Sequence, residues 1–242
     1  HKMDEEDDAV SGEKSEVVAE ESHDIKSWYS LIEDGSRILD MGNFEFSARP
    51  IDPDEMRIIL FTSATTDDAK GVMLSHRNIA SNIMDTCRIT YVSPDDRTLS
   101  VLPIHHTFES TLGMSLILYR GASMAFYEGL RYITQNINEA KPTFLLGVPL
   151  IFESIYTKIW KQAEKTGQAK KLKAGIALAK FLKRMGIDKR RTIFKAVHEN
   201  FGGRLRTLIT GAAAIDPNVL RGFEGLGFTM QQGYGLTETS PL

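Results

Sequence analysis

The sequence predicts an α/β fold in which a mainly parallel β-sheet is covered by helices on both faces. Short apolar runs rich in β-branched and aromatic residues alternate with longer segments whose apolar residues recur at helical spacing. The short runs are almost continuously apolar, which is typical of parallel strands buried on both sides. Ligands of such sheets bind at the loops that follow the carboxyl ends of strands, so those loops are the candidate functional segments.

The elements follow from these patterns in chain order. The predicted strands are residues 56–62, 98–104, 122–127, 143–148 and 205–210. The predicted helices are residues 75–91, 109–119, 133–140, 149–165, 170–185, 191–201 and 217–226. Ser75 and Asp216 are the expected N-caps of two of these helices, because their side-chain oxygens can accept from free amides of the first turn. Pro217 suits the first helical position.

Composition limits the class of protein. The 242 residues are 42% hydrophobic and 25% charged, with a net charge of −3, as expected of a globular chain that can bury a core. A single cysteine, Cys87, excludes an internal disulfide framework. No apolar run approaches the roughly 18 to 20 residues of a membrane span, and the start is acidic rather than signal-like, so a cytoplasmic protein is predicted.

The domain organisation is also predicted from composition. Residues 1–24 are dominated by Asp, Glu, Ser and Lys, and we expect an acidic lead-in whose first three residues are a tag remnant. Residues 25–242 are expected to form the folded domain.

The loop after the first predicted strand is rich in phosphate-binding groups. The segment "TSATTDDAKG" offers hydroxyls, an ammonium and a glycine backbone, which together could surround a polyphosphate. These groups are Thr62, Ser63, Thr65, Thr66, Lys70 and Gly71. The paired glycines of a Walker loop are missing. The alternative is a polar turn between a strand and the helix that Ser75 caps.

The segment "LPIHHTFE" follows the second predicted strand. His105, His106 and Glu109 crowd this loop, but the side chains of the two adjacent histidines point apart in an extended segment and rarely share one metal ion. A histidine that lines a pocket and a histidine with a structural role remain equal alternatives.

Two further loops carry small residues. "TGAAAIDP" presents Gly211, Ala212 and Ala213, which allow either a planar ligand or another backbone to approach closely, or form a simple turn. "QQGYGLTETS" places Tyr234 between two glycines, an arrangement that suits stacking on a base. Glu238 beside Thr237 suits a magnesium ion that bridges phosphates.

The order of these four motifs resembles that of the adenylate-forming acyl- and aryl-CoA synthetases, over residues 28–242. "KGVMLSHRNIASN" and "FKAVHENFGGRLRTLITGAAAIDP" are most similar to the long-chain fatty acyl-CoA synthetase branch. The resemblance implies a two-step reaction. A carboxylate attacks the α-phosphorus of MgATP and releases pyrophosphate, and the thiol of coenzyme A then displaces AMP from the acyl-adenylate. Positioning and electrostatic stabilisation would carry the catalysis.

The resemblance also implies roles for individual residues. Those implied to hold the β- and γ-phosphates are Thr62, Ser63, Thr65, Thr66 and Lys70. Gly211, Ala212 and Ala213 would border the adenine, and Tyr234 would stack on it between Gly233 and Gly235. Thr237 would contact the α-phosphate and Glu238 would hold Mg²⁺. His106 would lie near the acyl group, whose chain would run inward past Gly233.

The chain departs from the family pattern in two ways. The family usually reads T-S-G-T-T-G-x-P-K-G in the phosphate loop, where this chain has Ala64, Asp67 and Ala69. This favours, as an alternative, a noncatalytic or impaired nucleotide-binding module; an aryl or amino acid adenylating domain is another. The family's small C-terminal domain is not contained in the 242 residues, so we expect a fragment that does not complete the reaction alone.

Residues 158–195 are strongly basic, with Glu164 and Asp188 as the only acidic residues. A basic amphipathic helix can lie on an anionic membrane, which would suit an enzyme of lipid substrates. The alternative is a helix that faces the core and exposes a solvated basic side. Nucleic acid is not an expected partner.

Overall fold

The structure is a computed structural model that describes residues 26–62 and 70–242. The chain divides into two compact units, His1–Ile51 and Asp52–Leu242. In the first unit, the described residues form α1 (Trp28–Asp40) and α2 (Glu45–Ala48). The hydroxyl of Ser27 caps α1 by accepting from the amide of Ser30.

The second unit opens with an antiparallel hairpin. Strands β1 (Met56–Thr62) and β2 (Lys70–Ser75) pair from Met56 opposite Ser75 to Thr62 opposite Lys70. The predicted bounds of β1 agree with the structure. Strand β2 is not predicted, because the sequence indicates a loop that leads directly into the helix capped by Ser75. Residues 70–75 form a second strand, in which Val72 is half-buried, Met73 is exposed and Leu74 is buried.

The remaining strands form the predicted parallel sheet, whose spatial order is β4-β3-β5-β6-β7. Its strands are β3 (Arg97–Ser100), β4 (Ser123–Phe126), β5 (Phe144–Gly147), β6 (Thr207–Thr210) and β7 (Thr229–Gln232). Every neighbouring pair is parallel. β3 ends at Ser100, earlier than the Pro103 stop that the sequence suggests, and β7 is not predicted.

The helices of the second unit follow the predicted periodicity closely. They are α3 (His76–Ile89), α4 (Leu116–Tyr119), α5 (Ile133–Ala140), α6 (Pro149–Lys165), α7 (Ala169–Arg184), α8 (Arg190–Ile193), α9 (Lys195–Glu199) and α10 (Pro217–Leu226). A π-helix spans Glu109–Ser115, and 3₁₀ turns span Leu130–Tyr132 and Thr237–Thr239. Ser75 caps α3 in a capping box with Asn78, and Asp216 caps α10 by accepting from the amide of Asn218, as predicted.

Side chains of the central strand β5 alternate between two hydrophobic clusters. Leu145 packs with α6, α7 and α10 on one face, while Phe144 and Leu146 pack with α3, the π-helix and α4 on the other. This period of two is what a strand buried on both sides requires. The prediction of helices on both faces is therefore confirmed.

The basic helix α7 faces the core on one side. Ala179 is buried, and Leu172 and Ile176 pack against the same cluster as Leu145. None of the helices in residues 26–62 and 70–242 is long and apolar enough to cross a membrane.

Candidate functional site

A cavity of about 190 Å³ lies at the carboxyl edge of the sheet, at the loops after β3, β6 and β7. This is the edge where ligands of parallel sheets bind. The lining residues that the sequence predicts as site residues are His106, Gly211, Ala212, Gly233, Gly235 and Thr237. The loops separated by more than a hundred residues in sequence therefore meet at one cavity. Ala213, Tyr234 and Glu238 lie in the same loops but do not line it.

Two of these loops meet at Gly211. A Cβ at this position would stand 2.8 Å from Cζ of Phe108, so only glycine allows the aromatic ring to lie against the backbone here. The next residue, Ala212, has φ +69°, in the left-handed region that disfavours a side chain. Strained backbone of this kind collects at functional sites, since the surrounding packing must hold it in place.

The glycines beside Tyr234 have a packing role. A Cβ at Gly233 would meet Leu242 at 2.7 Å, and a Cβ at Gly235 would overlap the carbonyl oxygen of Pro241. The two glycines therefore let residues 241 and 242 close one wall of the cavity. The ring of Tyr234 is 88% exposed between them, as a ring that stacks on a planar ligand must be.

Asn82 on α3 positions the last motif. Its side-chain amide donates to the main-chain oxygens of Thr239, at 3.3 Å, and Leu242, at 2.5 Å. A buried amide that holds two main-chain oxygens fixes the turn that carries Thr237 and Glu238. Asn82 has no local sequence signal, because its contact with Thr239 joins residues 157 positions apart.

The predicted phosphate loop joins the two strands of the hairpin. Thr62 and Lys70 are paired at its base, with the Thr62 hydroxyl 3.5 Å from the Lys70 carbonyl oxygen. Ser63, Thr65 and Thr66 lie outside the described residues, as do Ala64, Asp67 and Ala69. Strand β2 contacts the Thr237–Thr239 turn, which carries the predicted magnesium residue Glu238.

His106 lies on the rim of the cavity, with an exposed side chain. Its Nδ1 accepts from the backbone amide of Phe108 at 3.3 Å, which leaves Nε2 as the atom that can donate to a ligand. His105 does not line the cavity.

Metal binding is possible at Glu238 through an exposed carboxylate. Within residues 26–62 and 70–242, no three His, Cys, Asp or Glu side chains cluster as a complete metal site. Mg²⁺ typically takes only one or two carboxylates, with water and substrate phosphates as its other ligands. Glu238 fits that limited role.

The burial of Glu109 is the least expected feature of this region. It follows the cavity-lining Phe108 and starts the π-helix, and its side chain is buried with neither carboxyl oxygen hydrogen-bonded. Burial raises its pKa, and the nearby Ser100 hydroxyl offsets only part of that rise. The sequence places Glu109 in the loop with the two histidines, but a glutamate in "HHTFES" gives no indication of burial.

Comparison with known proteins identifies the relatives of this chain. The family described as AMP-binding enzyme matches residues 2–242. Long-chain-fatty-acid–CoA ligase 5 of Rattus norvegicus is 35% identical over 201 residues, and long-chain-fatty-acid–CoA ligase 1 of Homo sapiens is 32% identical over the same length. Each alignment covers 78% of this chain and 29% of the relative, so the chain spans less than a third of the length of these proteins.

A solved structure supports the same relationship. ATP-bound MatB from Rhodopseudomonas palustris superposes with a TM-score of 0.54 at 26% identity. The match covers 78% of this chain and 31% of that protein.

Proposed function

Because this chain belongs to the AMP-binding enzyme family and is homologous to long-chain-fatty-acid–CoA ligases, we propose that it is the nucleotide-binding part of an acid–CoA ligase. The ligase activates a fatty acid with MgATP to an acyl-adenylate and then transfers the acyl group to coenzyme A. A long-chain fatty acid is the proposed substrate, in line with the relatives of that name.

The observation that carries the proposal is the cavity at the carboxyl edge of the sheet. Three loops that are distant in sequence bring His106, Gly211 and Thr237 to one space of about 190 Å³. A site assembled from three loops on a rigid parallel sheet can hold a nucleotide and an acid in a fixed relative orientation.

The residues of the site take separate roles in this proposal. Gly211, Ala212 and Ala213 provide a backbone edge without large side chains for the adenine, and the exposed ring of Tyr234 stacks on the base. The hydroxyl of Thr237 donates to the α-phosphate, and Nε2 of His106 donates to the oxygen that carries developing negative charge.

The hairpin loop holds the terminal phosphates. Lys70 supplies positive charge at the base of the loop, and the hydroxyls of Thr62, Ser63, Thr65 and Thr66 donate to phosphate oxygens. Glu238 would hold Mg²⁺ through its exposed carboxylate, and the ion would neutralise charge on the phosphates. The hairpin loop and Glu238 act in the formation of the acyl-adenylate, before the thiol of coenzyme A attacks it.

Pyrophosphate release by the intact enzyme tests the proposal. With a saturated long-chain acid, coenzyme A and MgATP, Glu238→Gln is expected to lower kcat/KM by at least a hundredfold. The matched control Glu164→Gln changes an exposed glutamate on α6 and is expected to leave the rate unchanged. Equal rates in the two variants would contradict the role of Glu238.

The same assay identifies the acid. Screening long-chain, medium-chain, aryl and amino acids separates a fatty acyl ligase from an aryl or amino acid adenylating domain. Release that depends on an aryl or amino acid, and not on a fatty acid, would replace the proposed substrate. This 242-residue chain alone is expected to give no turnover, since it spans 29% of its relatives.

Calorimetric titration of MgATP tests the alternative of an impaired nucleotide-binding module. Ala64→Gly with Asp67→Gly restores the usual glycines of the family loop. If the native intact protein binds MgATP, the ligase proposal stands. Binding that appears only in the double variant would favour the noncatalytic module.

Peripheral membrane contact through residues 158–195 belongs to the same proposal. Leu178, Phe181 and Met185 are exposed on one side of α7 and its end, and basic side chains flank them. In liposome sedimentation of the intact protein, charge reversal to Glu at Lys171, Lys173, Lys180 and Lys183 is expected to abolish binding to anionic vesicles. Unchanged sedimentation would remove the membrane contact.

A further inference from the structure

A second and larger cavity lies among the helices on the face of the sheet that α6 and α7 cover. Its volume is about 770 Å³, within the range of roughly 300–1,000 Å³ that small-molecule pockets occupy. Its inner wall is apolar and comes from α5, α6, α7 and the α8–α9 segment: Ile137, Ile159, Leu172, Phe194, Val197 and Phe201. None of its lining residues is shared with the 190 Å³ cavity.

The mouth of this cavity is positively charged. Lys158, Lys161 and Lys165 come from one side of α6, and Lys171 from the first turns of α7. All four side chains are exposed, and the lining contains no aspartate or glutamate. Among the described residues, none of these ammonium groups lies within 4.0 Å of a carboxylate.

The charge at the mouth contrasts with the chain as a whole, whose net charge is −3. Clustered lysines without carboxylate partners repel one another, and an anion at the mouth would relieve that repulsion. An apolar interior with a cationic rim is complementary to a long apolar chain that ends in an anionic group.

We propose that this cavity binds a long-chain carboxylate, with the chain between α5, α6 and α7 and the carboxylate at Lys158, Lys161, Lys165 and Lys171. The site is separate from the proposed site of acyl activation. It therefore goes beyond the ligase function, and binding here requires neither ATP nor coenzyme A.

A palmitate analogue that carries a diazirine on its chain tests the location in the intact protein. Photolysis is expected to label residues 155–172 and 193–201, and excess palmitate is expected to suppress the labelling. Labelling confined to other segments, or none, would overturn the proposal. ATP and coenzyme A are left out, so a failure of the ligase function would not affect this readout.

A variant that fills the cavity provides the steric test. Ala163 lines the cavity from α6, and Ala163→Trp is expected to abolish labelling of the two segments. Ala177→Trp is the matched control, because Ala177 is exposed on α7 outside the lining. Thermal unfolding of both variants checks that each is folded, and wild-type labelling in folded Ala163→Trp would contradict the cavity as the site.

The charge test uses surface residues only, so it does not depend on the core variant. Changing Lys158, Lys161, Lys165 and Lys171 to Gln is expected to weaken palmitate binding at least tenfold in calorimetric titration, or about 1.4 kcal/mol. The same change at Lys141, Lys170, Lys189 and Lys195 keeps the net charge equal, lies outside the lining, and is expected to alter the affinity less than twofold. Equal losses in the two variants would overturn the proposed headgroup site.

The nature of the anion is tested with 1-hexadecanol and hexadecyl phosphate. The neutral alcohol is expected to bind at least tenfold more weakly than palmitate, and raising the salt concentration should narrow that difference. Equal binding of the alcohol would contradict recognition of a charged headgroup. Tighter binding of the phosphate than of palmitate would contradict the carboxylate as the preferred ligand.

Discussion

The carboxyl group of Glu109 lies directly over Gly113, so that a Cβ on Gly113 would stand 2.5 Å from the carboxyl carbon. Both residues belong to the π-helix that follows Phe108, which lines the 190 Å³ cavity. The absent side chain at Gly113 is what lets a buried glutamate fold back onto its own helix.

Gly113→Ala is therefore expected to destabilise the protein by about 1–3 kcal/mol, since the buried carboxyl must move and has no solvent to move into. Urea unfolding measures the change. Gly225→Ala on α10 is the control, because its Cβ would meet nothing nearer than Ile176 at 3.6 Å. That variant should gain up to about 1 kcal/mol of helix propensity. Equal changes in the two variants would contradict the contact at Gly113.

Glu109 also makes stability depend on pH. Its pKa is raised in the folded protein by burial, above the ordinary value of 4.5. The unfolded chain therefore loses its proton first, and stability falls as pH rises from about 4.5 to the folded pKa, by about 1.4 kcal/mol per unit of difference. Above that pH the penalty is constant.

Glu109→Gln is expected to remove this pH dependence, because the amide stays neutral. Urea unfolding at pH 5 and pH 8 should show a larger loss of stability in the native protein than in the variant. Parallel curves for the two proteins would mean that the carboxyl is not held in its neutral form.

Helix caps and helix bounds are predicted correctly from the sequence where they depend on neighbouring residues. Ser75 and Asp216 cap their helices as the sequence indicates, and the apolar period of α6 gives both of its ends, Pro149 and Lys165. A helix cap or an amphipathic face depends on residues within a few positions, so one sequence is enough to find it.

Pairing across the chain is what the sequence does not reveal. Residues 70–75 contain a glycine and a serine and become a strand only because β1 lies beside them. Likewise Asn82 reaches the carbonyl oxygen of Thr239 only in the folded chain. The motifs identify the loops of the candidate site, while burial of Glu109 and the large cavity depend on packing between distant segments.

A partly buried ion pair joins the starts of β3 and β6. Arg206 Nη2 lies 2.6 Å from Oδ2 of the buried Asp96 and also donates to the Tyr91 carbonyl oxygen at 3.0 Å. Burial opposes ionisation of Asp96, but hydrogen bonds from Thr143, Ser93 and Arg206 outweigh it and lower the pKa below its ordinary value.

Arg206→Met is expected to cost about 1–3 kcal/mol at pH 7, because it leaves a buried carboxylate without its charged partner. A depressed folded pKa contributes stability that is present above the unfolded value of 3.8 and is lost as pH falls through the folded pKa. The loss of stability caused by Arg206→Met, measured by urea unfolding, should therefore shrink below pH 4.

Arg88→Met is the control, because it breaks an exposed pair with Asp85 and should change stability by less than about 0.5 kcal/mol. A comparable loss there would show that the effect at Arg206 is not due to burial.

Tyr234 separates a role in nucleotide binding from a role in folding. Its ring is 88% exposed, so truncation removes little packing, and Tyr234→Ala is expected to change the free energy of unfolding by less than about 0.5 kcal/mol. If the ring stacks on adenine, the same change should weaken MgATP binding by about 1–3 kcal/mol, the range measured when aromatic–base stacking is removed.

Tyr234→Phe keeps the ring and should bind MgATP as the native protein does. Calorimetric titration of the intact protein compares the three, with Tyr119→Ala as an exposed tyrosine outside the cavity. Weakened binding in Tyr234→Phe as large as in Tyr234→Ala would assign the effect to the hydroxyl and contradict stacking.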